Sequence, residues 1–321
     1  MNNENPWEHI ESPKDTNIVG RVIDSTHPFN IYYAKNQKGK YLLIFYAKKI
    51  YPKLKLPKLK GFKINFSQNQ EMLIIELNES ENWTLFKHMC DDIVANTRIT
   101  TGDKETVKLI INRILKWQRY WETDSKGLMS SSKIIGLLGE LFFLENHLFK
   151  SFSIEKSINY WSGPESKAQD FLVDSVAVEV KCQLGESPSR VSISSSDQLC
   201  PKFPKLYLHV ITLGKVEKDS PDCFNLYETI ERLNNKILND APLVYERFSD
   251  LLLKVGYMAK KEYKDYSYIF LDEQTYEVKD GFPRICTKDL PTGIDKVRYR
   301  ITLNSCKSFK SELKWEMKNV K

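Results

Sequence analysis

Closely spaced cysteines are missing from this sequence. No Cys-x-x-Cys pair occurs, and each of the five histidines stands alone. The six cysteines are Cys90, Cys182, Cys200, Cys223, Cys286 and Cys306. Structural zinc sites and the disulfide frameworks of small secreted proteins both need clustered residues. Because no signal-peptide pattern is seen either, we expect reduced cysteines, no zinc site and a cytoplasmic location.

Long apolar runs, internal repeats and low-complexity segments are also missing. No run approaches the roughly 20 residues of a membrane-spanning helix, so we expect no membrane partner. With 41% hydrophobic and 28% charged residues, an ordinary packed globular protein is expected. The net charge of +6 permits an anionic partner such as nucleic acid without requiring one.

Short stretches rich in β-branched and aromatic residues occupy the N-terminal part of the chain. They predict strands at 18–23, 29–34, 41–46, 62–66 and 72–77. Apolar residues at helical spacing then predict helices over about 83–96 and 104–121. Residues 1–123 are therefore assigned to a β-rich N-terminal region with two following helices.

A lysine-rich segment interrupts these strands. Residues 48–63 contain seven lysines and no acidic residue. Lysine and proline protect the edges of sheets from pairing, which is one interpretation. The other is a stripe that contacts phosphates. The second interpretation gives the candidate nucleic-acid-binding residues Lys48, Lys49, Lys53, Lys55, Lys58 and Lys60.

An apolar helix predicted over about 130–144 carries one acidic residue, Glu140. Gly136 and Gly139 lie inside it, which usually marks the close approach of another element. If the apolar face packs on a sheet, Glu140 is driven inward and needs a cation or hydrogen-bond donors. The alternative is that Glu140 lies at the edge of the apolar stripe and reaches water.

A valine-rich strand follows at 176–182. Because side chains alternate along a strand, Glu179 and Lys181 share one face while the valines share the other. Asp170 lies nine positions before Glu179, with a turn signal at Asp174-Ser175 between them. Pairing 169–173 with 176–181 places Asp170 beside Glu179.

This arrangement has a definite chemistry. Two carboxylates with the backbone carbonyl of Val180 form an oxygen site suited to Mg²⁺ or Mn²⁺. Lys181 could orient or deprotonate water, or neutralise charge on a phosphate. Glu140 could act as an outer ligand, directly or through a water molecule.

Glu-x-Lys alone is a weak motif, because five other copies occur in the chain. Glu277-Val278-Lys279 is the serious competitor, since it also lies in a predicted strand. It lacks a preceding apolar helix with an acid and leads directly into an Asp280-Gly281 turn. The combination and order of residues favour Glu179 and Lys181.

The remaining chain predicts helices over 224–238 and 242–255, a strand pair at 266–271 and 275–278, and a strand at 297–303. We divide the chain into 1–123, a core at 124–217, and a C-terminal helical region with strands at 218–321.

The motifs together resemble the PD-(D/E)XK nuclease superfamily. More narrowly, they resemble a family of PD-(D/E)XK proteins often encoded near bacterial restriction and phage-defence genes. The resemblance rests on Gly136 to Leu144, Trp161-Ser162-Gly163-Pro164, Gln169-Asp170-Phe171, Val178-Glu179-Val180-Lys181 and Gln198-Leu199. One departure is Gln169, which stands where the eponymous proline would be.

The resemblance implies an α/β (α+β) fold with a restriction-endonuclease-like α-β-β-β-α-β core, a central mixed sheet flanked by helices. It implies that Asp170 and Glu179 are metal ligands and that Lys181 is the catalytic lysine. Glu140 would match the acid on the first core helix, and Gln198 the polar residue after the third strand.

The function implied is a Mg²⁺-dependent (or Mn²⁺-dependent) endonuclease that cleaves DNA in restriction or phage defence. Its partners would be DNA and a methyltransferase or other defence-system proteins, and a homodimer would suit cleavage of both strands. Two alternatives stay open. One is a catalytically silent or partner-dependent DNA-binding subunit of a defence complex, and the other is a structural α+β protein.

Overall fold

Two units make up the chain, Met1–Gly127 and Leu128–Lys321. The computed structural model describes residues 5–15, 17–47, 59–67, 71–122, 127–185, 190–200, 202–294 and 296–315. The division into 1–123, 124–217 and 218–321 stays a prediction. No helix in these described ranges is long and apolar enough to cross a membrane.

The first unit contains an antiparallel sheet with the strand order β1-β2-β3-β5-β4. The strands are β1 (Val19–Val22), β2 (Ile31–Lys35), β3 (Tyr41–Tyr46), β4 (Phe62–Ser67) and β5 (Met72–Leu77). All five predicted strands are confirmed. The central strand β3 is the most apolar, and its residues Leu42 to Phe45 are buried.

Two helices complete the first unit, α1 (Trp83–Thr97) and α2 (Asp103–Glu122). Asp92 on α1 accepts hydrogen bonds from the guanidinium of Arg113, at 2.8 and 2.6 Å, and from the indole of Trp117, at 2.8 Å. Arg113 is fully buried. This bidentate ion pair fixes the two helices against each other.

Most of the lysine-rich segment lies outside the described residues. This applies to Lys48, Lys49, Lys53, Lys55 and Lys58, whose proposed DNA contacts stay predictions. Lys60 is described and exposed, and its backbone N–H donates to the side chain of Gln118 at 3.1 Å.

The second unit begins with helices and then alternates strands and helices. Its helices are α3 (Ser131–Phe143), α4 (Phe149–Ser151), α5 (Ile154–Tyr160), α6 (Leu226–Asp240) and α7 (Tyr245–Lys254). A π-helical turn, Leu144–Leu148, joins α3 to α4. Its strands are β6 (Phe171–Val173), β7 (Val176–Leu184), β8 (Arg190–Ile193), β9 (Lys205–Val216), β10 (Ser267–Glu277) and β11 (Tyr299–Thr302).

The main sheet of this unit is mixed and has the strand order β10-β9-β7-β6. Strands β7 and β9 are parallel, and the other two pairs are antiparallel. Helix α3 packs on β7 so closely that a Cβ on Gly139 would lie 2.5 Å from the Cβ of Cys182. The fold is α+β, as predicted, and Gly139 marks a close approach, as its position in the helix indicated.

The other face of the main sheet is covered by a second sheet, in which β8 pairs with β11. Apolar residues of both sheets and of the 3₁₀ helix Leu303–Phe309 form one buried cluster. The C-terminal strand β11 therefore helps to cover the sheet that carries the candidate site.

Two expectations are wrong. The predicted strand pair at 266–271 and 275–278 is one continuous strand, β10, with a register shift between Phe270 and Asp272. Its polar middle resembled a turn, but β10 is an edge strand, where polar side chains reach solvent. Cys200 and Cys286 form a disulfide bond, so not all six cysteines are reduced. They are 86 residues apart, and no local signal indicates such a pairing.

Candidate active site

The β6–β7 hairpin brings Asp170 and Glu179 together. Its two-residue turn is Asp174-Ser175, and Asp174 has a φ of 52°, a left-handed conformation that Asp tolerates. Phe171 pairs with Val178 across the hairpin. One position further from the turn on each strand, Asp170 lies opposite Glu179. This is the pairing that the sequence predicts.

Asp170 is held in place through both its backbone and its side chain. Its carbonyl oxygen accepts hydrogen bonds from the N–H groups of Ser162, at 2.8 Å, and Gly163, at 2.9 Å. Its Oδ2 accepts a hydrogen bond from the N–H of Val180 at 2.8 Å. The N–H and C=O of one strand residue point to the same side, so the Val180 carbonyl faces the Asp170 side of β7.

Glu140 reaches the same place from helix α3. Its Oε2 accepts a hydrogen bond of 2.6 Å from the indole Nε1 of the fully buried Trp161. A Cβ on Gly163 would lie 3.0 Å from this Oε2 and 2.9 Å from Oδ1 of Asp170. The two carboxylates therefore converge on the bare backbone of Gly163, and Glu140 turns inward instead of reaching out from the stripe edge.

Glu179 is fully buried and has one charged partner, since Oε1 lies 2.7 Å from Nζ of Lys181. Neither of its carboxylate oxygens accepts a hydrogen bond of ordinary geometry from the described part of the chain. Lys181 also donates to Oε1 of Gln198 at 3.2 Å, and that oxygen accepts the Ser194 N–H at 2.8 Å. Gln198 thus orients the lysine.

The electrostatics are those of a cation site. Burial and the charge of Asp170 raise the pKa of Glu140 to about 8. Burial likewise raises the pKa of Asp170, and burial together with Asp170 raises that of Glu179. Burial alone would lower the pKa of Lys181, but Glu179 and Asp170 outweigh it and the pKa is raised. Three carboxylates thus share one ammonium group, which favours binding of a further cation.

The donor set fits a hard divalent cation. Glu179 supplies a buried carboxylate that lacks ordinary hydrogen bonds, and unmet buried acceptors are rare without a functional reason. Asp170 and the Val180 carbonyl add further oxygen donors on the same side of the hairpin. Oxygen ligands of this kind suit Mg²⁺ or Mn²⁺. Glu140 lies next to Asp170, and its Oε2 accepts the hydrogen bond from the Trp161 indole.

Gln169 has a role that reasoning from the sequence missed. Its buried side chain donates to the backbone carbonyls of Asp197, at 3.0 Å, and Gln198, at 3.1 Å. The backbone carbonyl of Gln169 accepts a hydrogen bond from the hydroxyl of Ser162 at 3.0 Å. The residue in the eponymous proline position therefore ties the hairpin to the loop that carries Gln198.

Trp161 and Gly163 were also missed as site residues, although both belong to the quoted Trp-Ser-Gly-Pro motif. Two sequence features provided a signal: the indole N–H of a buried Trp needs an acceptor, and Glu140 is an acid on an apolar helix that needs a hydrogen-bond donor. The competing Glu277 and Lys279 form an ion pair of 3.1 Å in which Glu277 is half-buried and Lys279 is exposed, whereas Glu179 is fully buried.

Comparison with known protein families gives one match. A family model described as "Putative PD-(D/E)XK family member (DUF4420)" matches residues 3–304. Comparisons with curated proteins and with solved structures give no significant match.

Proposed function

The chain belongs to this PD-(D/E)XK family, and on that premise we propose that it is a divalent-metal-dependent nuclease that hydrolyses DNA in restriction or phage defence. The observation that carries the proposal is Glu179. It is a fully buried carboxylate without ordinary hydrogen bonds, next to Asp170 and Lys181. Its Oε2 accepts no hydrogen bond from the described part of the chain, whereas a buried acid with a purely structural role would have both oxygens satisfied.

The residues that would hold Mg²⁺ or Mn²⁺ are Asp170, Glu179 and the carbonyl of Val180. When bound, such an ion would polarise the phosphate and lower the pKa of the attacking water. The chain contributes the geometry. The Val180 N–H fixes one oxygen of Asp170 and leaves Oδ1 facing the site.

Lys181 contributes charge. Its raised pKa keeps it an ammonium ion at neutral pH in the metal-free protein, where it is the counter-ion of Glu179. A positive group held by Gln198 beside the ligands would attract the substrate phosphate and stabilise the charge that develops on it. This favours the charge-neutralising role over that of a base.

Glu140 contributes a carboxyl group that gains or loses its proton near neutral pH, because its pKa is raised. With a pKa of about 8 in the metal-free protein it is largely protonated at pH 7. The hydrogen bond from Trp161 fixes its position. From there it could hold a water molecule close to Asp170.

The test is cleavage of supercoiled plasmid and phage DNA, methylated and unmethylated, with Mg²⁺ or Mn²⁺. We expect nicking by the wild type and a loss of at least about 100-fold in Asp170→Asn and Lys181→Ala. Lys279→Ala is the matched control, because it removes the lysine of the exposed Glu-x-Lys copy. It should cleave like the wild type. A radiolabelled RNA of the same sequence tests the choice of nucleic acid.

Two results would count against a nuclease whose active site is formed by Asp170, Glu179 and Lys181. One is wild-type protein that neither cleaves nor binds Mn²⁺ in calorimetry. The other is cleavage that Lys181→Ala and Lys279→Ala retain equally. DNA binding that survives Lys181→Ala without any cleavage would instead support a partner-dependent subunit. Association with a methyltransferase and formation of a homodimer are further parts of the proposal, and copurification and light scattering would test them.

A further inference from the structure

Three potential metal ligands meet on the face of the main sheet that packs against α3. His147 comes from the π-helical turn, His209 from β9 and Glu273 from β10. Oε2 of Glu273 lies 3.0 Å from Nε2 of His147 and 3.5 Å from Nε2 of His209. One ligand atom from each residue lies within 4.8 Å of the others.

This cluster is separate from the acids described above. Glu179 and Leu208 are partners in the parallel register, so their side chains share one face of the sheet. His209, the next residue, faces the opposite side, where α3 packs. There the ring of Phe143 lies 5.0 Å from that of His147 and 4.9 Å from that of His209. Both imidazoles are thus held by packing.

The hydrogen bonding of His209 satisfies one ring nitrogen and leaves the other facing Glu273 at 3.5 Å. Its Nδ1 bonds to the hydroxyl of Thr275 at 2.8 Å. Its Nε2 is buried and makes no hydrogen bond of ordinary geometry with the described residues, although it points at Glu273. An unmet buried nitrogen costs free energy. A histidine oriented through one nitrogen and open at the other is the usual form of a metal-ligating histidine.

The backbone around the cluster also favours a site. His209 pairs with Thr275 across β9 and β10, so Glu273 is its diagonal neighbour on the same face. His147 is delivered by a π-helical turn, a costly local geometry that is frequent at functional sites. Three elements distant in sequence are thus arranged around one point.

We propose that His147, His209 and Glu273 bind a borderline divalent transition metal, Zn²⁺. Two imidazole nitrogens and one carboxylate oxygen suit zinc, whereas the all-oxygen set on the other face suits Mg²⁺ or Mn²⁺. Ligand atoms about 2.0–2.2 Å from a tetrahedral zinc ion lie roughly 3.4 Å apart. The two distances to Glu273, 3.0 and 3.5 Å, are close to this value, and the two imidazole nitrogens lie within 4.8 Å of each other. Three protein ligands leave a fourth position for water.

Glu273 and His147 keep 35% and 22% of their side-chain surfaces exposed, so an ion can enter from that side. A bound ion would link the end of α3 to the two strands β9 and β10. Because α3 also carries Glu140, the zinc site would hold the helix that places this acid next to Asp170.

The test is Zn²⁺ titration of the chelator-treated full-length protein by competition calorimetry, followed by Co²⁺ absorption spectroscopy. To keep Zn²⁺ from the acidic site, both are repeated in an Asp170→Asn background. We expect one Zn²⁺ per chain, the spectrum of four-coordinate Co²⁺, and a raised Tm with Zn²⁺, all preserved in that background. Cleavage is not measured, so the result is independent of the nuclease proposal.

The ligand variants are His147→Gln and Glu273→Gln, with Glu277→Gln on the same strand as the matched control. We expect the two ligand variants to bind Zn²⁺ at least about 10-fold more weakly and to lose the Tm increase. The control should behave like the wild type. Wild-type protein that shows no four-coordinate Co²⁺ spectrum, or ligand variants with unchanged stoichiometry and Tm increase, would make the cluster a histidine–carboxylate ion pair only. The wild-type spectrum decides this even if a variant fails to fold.

Discussion

Removing the charge of Glu140 should stabilise the metal-free protein, and the gain should depend on pH. In Glu140→Gln the side chain keeps its shape and can still accept the hydrogen bond from Trp161. The amide cannot ionise, so it avoids the cost of a buried charge beside Asp170. We expect Glu140→Gln to be more stable than the wild type at about pH 8 and nearly equal to it at about pH 5.

The magnitude follows from proton linkage. The folded protein holds the Glu140 proton up to a pKa of about 8, whereas the ordinary value is 4.5. Between these pH values the folded state binds more protons than the unfolded state, so the free energy of unfolding falls as the pH rises. The full difference corresponds to roughly 5 kcal/mol. Trp161 donates more strongly to a carboxylate than to an amide, so we expect a gain of about 2–5 kcal/mol for the variant.

The assay is urea unfolding with EDTA, followed by tryptophan fluorescence and circular dichroism at several pH values. Glu217→Gln serves as control, because Glu217 is an exposed acid in the turn after β9. Its stability should follow that of the wild type at every pH. The reasoning would be refuted by a Glu140→Gln protein that is no more stable than the wild type at about pH 8, or by a gain that is equal at about pH 5.

Three further substitutions test the packing of the site. Gly163→Ala would place a Cβ about 3 Å from two carboxylate oxygens, so nicking and the Mn²⁺-induced Tm increase should be lost while the circular dichroism spectrum is unchanged. Gly139→Ala would drive a Cβ into Cys182, which should lower the free energy of unfolding by about 1–3 kcal/mol in urea titrations. The double variant with Cys182→Gly should recover part of this loss of stability. A single variant as stable as the wild type would contradict the close packing. Gln169→Ala would remove the hydrogen bonds that hold the loop carrying Gln198. The rate of DNA cleavage should therefore fall about 10-fold, while the Mn²⁺ affinity in calorimetry changes little. Unchanged cleavage would show that these hydrogen bonds are not needed for activity.

The hairpin that carries the site could be predicted because its information is local. Alternating valines fix the faces of β7, and Asp174-Ser175 fixes the turn. The faces of β7 and the position of the turn together determine the register of the hairpin, and this register sets Asp170 beside Glu179. Helix α3 was predictable for the same reason, since helical spacing of its apolar residues identifies the face that packs on the sheet.

Contacts between distant segments could not be predicted in this way. Cys200 and Cys286 give no local signal, and neither do His147 and His209, which looked isolated in the sequence. The hydrogen bond from Trp161 to Glu140 depends on how α5 ends relative to α3. The polar residues inside β10 were mistaken for a turn, because an edge strand and a turn share the same composition.

The contact made by Gln169 has a consequence for how this protein can vary during evolution. Its amide donates to two main-chain carbonyls, at positions 197 and 198, and not to any side chain. The contact therefore does not depend on the side chain at position 197, and it depends strongly on the path of the backbone. Substitutions at that position should accumulate freely as far as this contact is concerned. An insertion or deletion there would have to be accompanied by a change at position 169.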